Sequence, residues 1–309
     1  MRRAPLIAAA VLALIGIGWV LTVGRAWEVR ESYEFTEEPW MVPVPATKST
    51  PLTVVFLEEL EAHPGLRGMR GGGREFQILG SPATLGPADI EVVVVLRGGC
   101  VEHCEGVPTR MFVYQLEERS ARRIERELSM SSLLRFGEER VFYYTVGRTI
   151  EGEDDERVTS FASMIDGGVL LLGSGEPVSV MMLIKEVTGV IEGSELGLFD
   201  DDLLRRAYSR AVEGLKPVAL RVSRGEIGAR YSVMVVSPAG ERWVLRLVLS
   251  YGSRDEASAA ASSLDPEELI GMRPSSLKPE GQLVVVDVEL PEEKLKDALN
   301  LIYAQELGG

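Results

Sequence analysis

Three types of metal-binding side chain, thiol, carboxylate and imidazole, fall within five residues, Cys100-Val101-Glu102-His103-Cys104. Thiolates and imidazole together suit zinc or copper. A structural zinc site takes four ligands, however, and the only other histidine is His63. There is no second cysteine pair, so Glu102 or Glu105 would have to complete the set. The spacing is also not the Cys-x-x-Cys of thiol oxidoreductases. In an oxidising compartment a local Cys100–Cys104 disulfide is the simpler expectation. It would contribute ~2–3 kcal/mol by closing a short loop. Three readings stay open for Cys100, His103 and Cys104: a disulfide between the cysteines, a zinc or copper site, or free thiols.

Other chemistries lack their residues. The chain has neither Gly-x-Ser-x-Gly nor His-Glu-x-x-His. The glycine-rich stretch 68–73, with Arg67, Arg70 and Arg74 around it, lacks the phosphate-loop spacing and reads as a turn. Two acidic clusters offer carboxylates for acid–base work or calcium, Glu153 to Glu156 and Asp200 to Asp202. The first reads as a solvated hairpin tip and the second as a helix cap. Met181 and Met182 sit in an apolar stretch and read as core rather than copper ligands. No catalytic or cofactor-binding residue is assigned.

These residues need a scaffold, and the scaffold begins with an anchor. Residues 4–24 carry no charge and are apolar almost throughout. At about 1.5 Å per residue such a helix spans roughly 30 Å, the thickness of a bilayer's hydrocarbon. Arg2 and Arg3 precede it, Arg25 closes it, and Trp19 and Trp27 lie near one end. A cleaved signal peptide is the competing reading. Its apolar run would be shorter, and Gly24-Arg25-Ala26 is a poor cut site. The expectation is a single-pass cell-membrane protein with residues 1–27 as cytoplasmic tip and anchor, and the C-terminal part outside the cytoplasm. Pro39, Pro43, Pro45 and Pro51 make residues 28–51 a stalk.

Beyond the stalk the pattern is α+β. Residues 52–62 are expected as a short helix. Residues 90–96, 111–116, 140–150, 158–165 and 169–172 read as strands, with a helix over 118–134. Asp166-Gly167-Gly168 is a hairpin signal. A helix is expected from Pro177 to about Val190, and another after Asp202. Strands follow at 218–222, 230–236, 242–251 and 282–290. Ser253 caps one further helix and Pro291 opens the last. The succession strand, hairpin, strand, helix, strand occurs over 90–150 and again over 230–290. Antiparallel sheets with helices packed on one face, formed from a duplicated unit, would satisfy it. Two units are expected, 52–215 and 216–309.

The stretch from Ala162 to Gly173, with Asp166-Gly167 between apolar runs, precedes a helix. Then come Leu198-Phe199-Asp200-Asp201-Asp202-Leu203-Leu204-Arg205-Arg206-Ala207 and a strand. Over residues 162–222 this resembles a group of signal-anchored prokaryotic proteins of uncharacterised function. The resemblance implies an extracytoplasmic location and no known enzyme activity, and it carries no site residue with it.

Composition bounds the partners. Of 309 residues, 47 are acidic and 33 basic, a net charge of −14 that repels nucleic acid. Asn occurs once, at Asn300, and Lys is scarce beside Arg, a thermophile-like balance that a GC-rich genome would also favour. The expected function is a membrane-anchored binding or envelope-associated module, with the lipid bilayer as partner through residues 4–24. A metal- or thiol-dependent activity at Cys100, His103 and Cys104 is the alternative.

Overall fold

The structure is a computed structural model. It describes residues 41, 44–46, 52–63, 66, 76–77, 84–85, 90–97, 110–130, 134–136, 141–145, 150–151, 157–165, 168–175, 183, 186–187, 189–190, 193–225, 228–240 and 242–303. The anchor expected over residues 4–24 lies outside this set. Among the described residues no helix is long and apolar enough to cross a membrane.

Strand β1 is Leu52–Phe56 and runs directly into helix α1, Leu57–Ala62. This corrects the expected helix over 52–62. Thr53, Val54 and Val55 are branched at Cβ, which disfavours helix. The run is apolar on every side because both faces of the strand are covered, which mimics a buried helix in sequence. Short strands β2, Phe76–Gln77, and β3, Thr84–Leu85, pair only with each other. Then come β4, Ile90–Arg97, β5, Arg110–Leu116, and helix α2, Glu118–Met130. The helix stops short of the expected Leu134, which opens β6, Leu134–Phe136. The single strand expected over 140–150 is two, β7, Val141–Thr145, and β8, Ile150–Glu151. The predicted hairpin is present as β9, Arg157–Ile165, and β10, Val169–Gly175. Of the helix expected over 177–190, Leu183, Glu186, Val187, Gly189 and Val190 are described, and they are helical.

Helix α3, Asp202–Val212, presents Leu203, Leu204, Ala207, Tyr208 and Ala211 as one buried face. It is followed by β11, Ala219–Arg224, β12, Tyr231–Ala239, and β13, Arg242–Ser250. Helix α4, Arg254–Ser263, is capped by Ser253, whose Oγ accepts from the Glu256 amide at 3.2 Å. Helix α5, Pro266–Ile270, strand β14, Ser276–Glu280, strand β15, Leu283–Leu290, and helix α6, Glu292–Tyr303, complete the chain order.

All strands except β2 and β3 join one 13-stranded antiparallel sheet, ordered β14-β15-β13-β12-β11-β1-β4-β5-β10-β9-β7-β6, with β8 on β9. One pairing order therefore occurs twice. From β1 outward it is β1-β4-β5-β10-β9, and from β11 outward β11-β12-β13-β15-β14. In each set a helix follows the third strand, and a hairpin returns its second strand to that third strand's free edge. The two sets meet where β1 pairs antiparallel with β11, Leu52 opposite Val222 and Val55 opposite Ala219. The expected units 52–215 and 216–309 contribute to this same sheet, and residues 39–309 form one compact unit.

Helices lie on both faces, a correction to the one-sided packing that antiparallel sheets suggest. On one face α1, α2, α4, α5 and α6 cover Val55, Tyr114, Leu170, Leu247, Val286 and their neighbours. On the other, α3 together with Met41, Val44, Leu198 and Phe199 covers Val54, Val113, Leu220, Val233, Val235 and Val248. Cover on both sides explains why β10 and β12 read as unbroken apolar runs rather than as alternation. Met41 and Val44, within the expected stalk, are fully packed into this second face.

Candidate functional site

The residues singled out for metal or thiol chemistry, Cys100, His103 and Cys104 with Glu102 and Glu105, lie outside the described residues. So do Arg67, Arg70, Arg74, Glu153 to Glu156, Met181 and Met182. His63 is described: its ring meets the Trp243 ring edge-on, centroids 4.8 Å apart. Among the described residues no group of three His, Cys, Asp or Glu side chains could hold a metal ion.

The second acidic cluster contributes to a cleft of about 510 Å³ lined by Ala46, Leu196, Gly197, Leu198, Asp200, Asp201, Arg224, Arg230 and Tyr231. That volume falls within the range of small-molecule sites, roughly 300–1,000 Å³. Three stretches of chain build it. The segment 44–46 is stitched to 196–198: the Ala46 amide donates to the Leu196 carbonyl at 3.0 Å, and the Leu198 amide to the Val44 carbonyl at 2.8 Å. A single 3-10 turn, Leu198–Asp200, then leads into α3. Opposite, β11 ends at Arg224 and β12 begins at Tyr231, and the two residues pair across the ladder. The loop between them turns on Gly225 and Gly228, both at φ 71°, a left-handed conformation that glycine takes at little cost.

Asp201 is the hub. Its Oδ1 accepts from the Leu203 amide at 2.9 Å and so caps α3. Its Oδ2 accepts from the Tyr231 hydroxyl at 2.8 Å and from Arg230 Nη2 at 3.0 Å. Burial disfavours the Asp201 carboxylate. The Tyr231 hydroxyl, the Leu203 and Leu204 amides and the Arg230 charge outweigh that and hold its pKa below the usual carboxylate value. Tyr231 moves the other way. Burial, then its hydrogen bond to Asp201, raise the phenol pKa, so it stays a proton donor to that carboxylate. Asp200 is also engaged: Oδ2 accepts from the Gly197 amide at 2.8 Å, and Oδ1 lies 3.8 Å from Arg205.

The two arginines differ. Arg230 pairs with Asp201 and lies 5.9 Å from the Tyr231 ring centroid. Arg224 lies 5.3 Å from the same centroid, within cation–π range, and donates from Nη2 to the Tyr231 oxygen at 3.4 Å. Its Nε is shielded from solvent and has no hydrogen-bond partner among the described residues. Among the described residues no carboxylate pairs with Arg224. Leu196, at the mouth, is 70% exposed and is the exposed large hydrophobic side chain among the described residues.

Both carboxylates are committed to structural hydrogen bonds, Asp201 is held ionised, and Tyr231 is held protonated. What the cleft leaves available is guanidinium N–H groups beside apolar surface. The sequence located Asp200 to Asp202 and read the cap correctly, but it did not join them to Arg224, Arg230 and Tyr231. The signal was present in Ser223-Arg224-Gly225 and Gly228-Ala229-Arg230-Tyr231, a glycine hairpin with an arginine at each end.

No protein family matches the chain, and no curated protein matches it. Among solved structures, crystal form I of TP0453 is similar at 10% identity and a TM-score of 0.41, over 88% of this chain and 100% of that one. Crystal form III of TP0453 is similar at 9% identity and a TM-score of 0.40, over 87% and 100%. A likeness of this extent names neither a family nor a function for the chain.

Proposed function

We propose that the chain is a single-pass, membrane-anchored module that binds a small molecule outside the cytoplasm through the Arg224–Tyr231 cleft, and that it is not an enzyme. The observation that carries the binding reading is the commitment of the acids: the three hydrogen bonds that Asp201 accepts and the one that Asp200 accepts from Gly197 leave no uncommitted carboxylate among the described residues of the cleft. The uncharged stretch 4–24 supports the anchor, and the net charge of −14 argues against a nucleic-acid partner. The recurring strand order supports a duplicated α+β unit as the origin of the fold. The alternative, a metal- or thiol-dependent activity, rests on the five-residue spacing of Cys100, His103 and Cys104.

The test is thiol labelling of intact cells with a membrane-impermeant maleimide, before and after reduction, followed by metal analysis of the purified chain. Labelling that needs reduction but not lysis is the expected result, with the full-length chain in the membrane fraction. Labelling only after lysis would overturn the location. Stoichiometric zinc or copper, lost in Cys100→Ser, would favour the alternative.

A further inference from the structure

The chemistry of the cleft goes further than the fact of binding. A ligand must meet what the walls leave unpaired, and among the described residues those groups have one sign. Asp200 and Asp201 accept from Gly197, Leu203, Tyr231 and Arg230, so a cation would find no open carboxylate there and two guanidinium groups nearby. Arg224 brings five N–H donors in a planar fork, and among the described residues one of them is used, toward Tyr231. The ring contact and that hydrogen bond hold the fork in one orientation, which lowers the ordering cost of binding. Among the described residues its Nε–H has no acceptor, and water does not reach it, so contact with a ligand falls to the other Arg224 atoms that line the cleft.

Size and polarity narrow the class. About 510 Å³ is far more than an inorganic anion fills. Ala46, Leu196 and Leu198 supply apolar wall, and Leu196 leaves most of its surface in water when the cleft is empty. We infer that the cleft takes a small organic anion, with a carboxylate head on the Arg224 guanidinium and a short apolar body along Leu196. This rests on the binding reading above and names its ligand class.

The full chain in lipid nanodiscs, with empty nanodiscs as the blank, is titrated calorimetrically with butyrate. Butanol, butylamine and inorganic phosphate serve as comparison probes. Arg224→Gln removes the head contact, and Leu196→Ser changes an exposed side chain that the fold does not need. Saturable butyrate binding is expected, weakened at least about tenfold in Arg224→Gln and about threefold in Leu196→Ser, with butanol and butylamine inert. Butyrate binding that ignores both substitutions would overturn the inference. So would phosphate binding that depends on Arg224 but not on Leu196. Butanol or butylamine binding lost in Leu196→Ser would remove the anion class while leaving a binding module. Silence from all four probes would count against both readings.

Discussion

At the scale of the residue, Asp201 joins stability to the cleft. One carboxylate caps α3 and positions the Tyr231 hydroxyl and the Arg230 guanidinium. Asp201→Ala removes the cap, a loss of about 1 kcal/mol, and leaves Tyr231 without its acceptor, for a total of about 2–3 kcal/mol. Asp201→Asn keeps the capping oxygen but turns an NH2 toward the Tyr231 hydroxyl and Arg230, so it should cost about 1–2 kcal/mol at neutral pH. The pH dependence has a definite sign. The folded-state pKa lies below the unfolded one, so the contribution is complete above the unfolded value near 3.9 and is lost as pH falls through the folded value. Urea titrations of the native chain and Asp201→Asn should therefore differ at pH 7 and converge on acidification. A gap that stays constant or widens as pH falls would show that the charge of Asp201 contributes nothing.

At the scale of the element, a buried hydrogen bond ties β11 to β12. Ser223 and Ser232 sit opposite each other, both buried, with hydroxyl oxygens 2.6 Å apart. Ser232→Ala leaves the buried Ser223 hydroxyl without the group opposite it, a cost of about 1–2 kcal/mol, and Ser223→Ala removes the same hydrogen bond from Ser232. The double change leaves nothing stranded at that pair, so it should cost clearly less than the two singles added. A double-mutant cycle in urea checks this, and strict additivity would mean that the two hydroxyls do not interact.

Elements of this kind were legible where local chemistry marks them. Ser253 announces α4, Pro291 announces α6, and the apolar spacing of Leu203, Leu204, Ala207, Tyr208 and Ala211 announces α3. Helix α5 was missed although Asp265-Pro266 carries a start signal, and Asp265 Oδ1 does accept from the Glu267 amide at 3.0 Å. Strand β14 was missed for a different reason. Ser-Leu-Lys-Pro-Glu has no strand alternation, because an edge strand buries little and a proline and a lysine discourage further pairing there. Strand β1 was read as helix because its burial on both faces is decided by β4, β11 and the covering helices, none of them local. The cleft was illegible for the same cause. Asp201 and Tyr231 are brought together by the docking of α3 on β12 and β13, and no spacing in the sequence encodes that contact.

At the scale of the molecule, the two sets of strands depend on each other. Helix α3 comes from the first set's side of the chain yet buries its apolar face on β12 and β13 of the second. The last helix, α6, is tied back to both central strands. Its Ile302 carbonyl accepts from Thr53 of β1 at 3.4 Å, across 249 residues of sequence, and its Leu301 carbonyl accepts from Arg221 of β11 at 3.3 Å. Arg210 on α3 grips Glu280 on β14 through two hydrogen bonds of 2.7 and 2.8 Å. Cutting between residues 215 and 216 would strip α3 from Val233, Val235 and Val248 and expose β11 as an unpaired edge. A fragment of residues 216–309 should therefore aggregate rather than fold. The intact chain should lose its sheet in one cooperative urea transition, with far-UV and near-UV circular dichroism falling together. Two separated transitions, or a monomeric protease-resistant fragment 216–309, would mean that the β1–β11 seam divides two independent domains instead of fusing one.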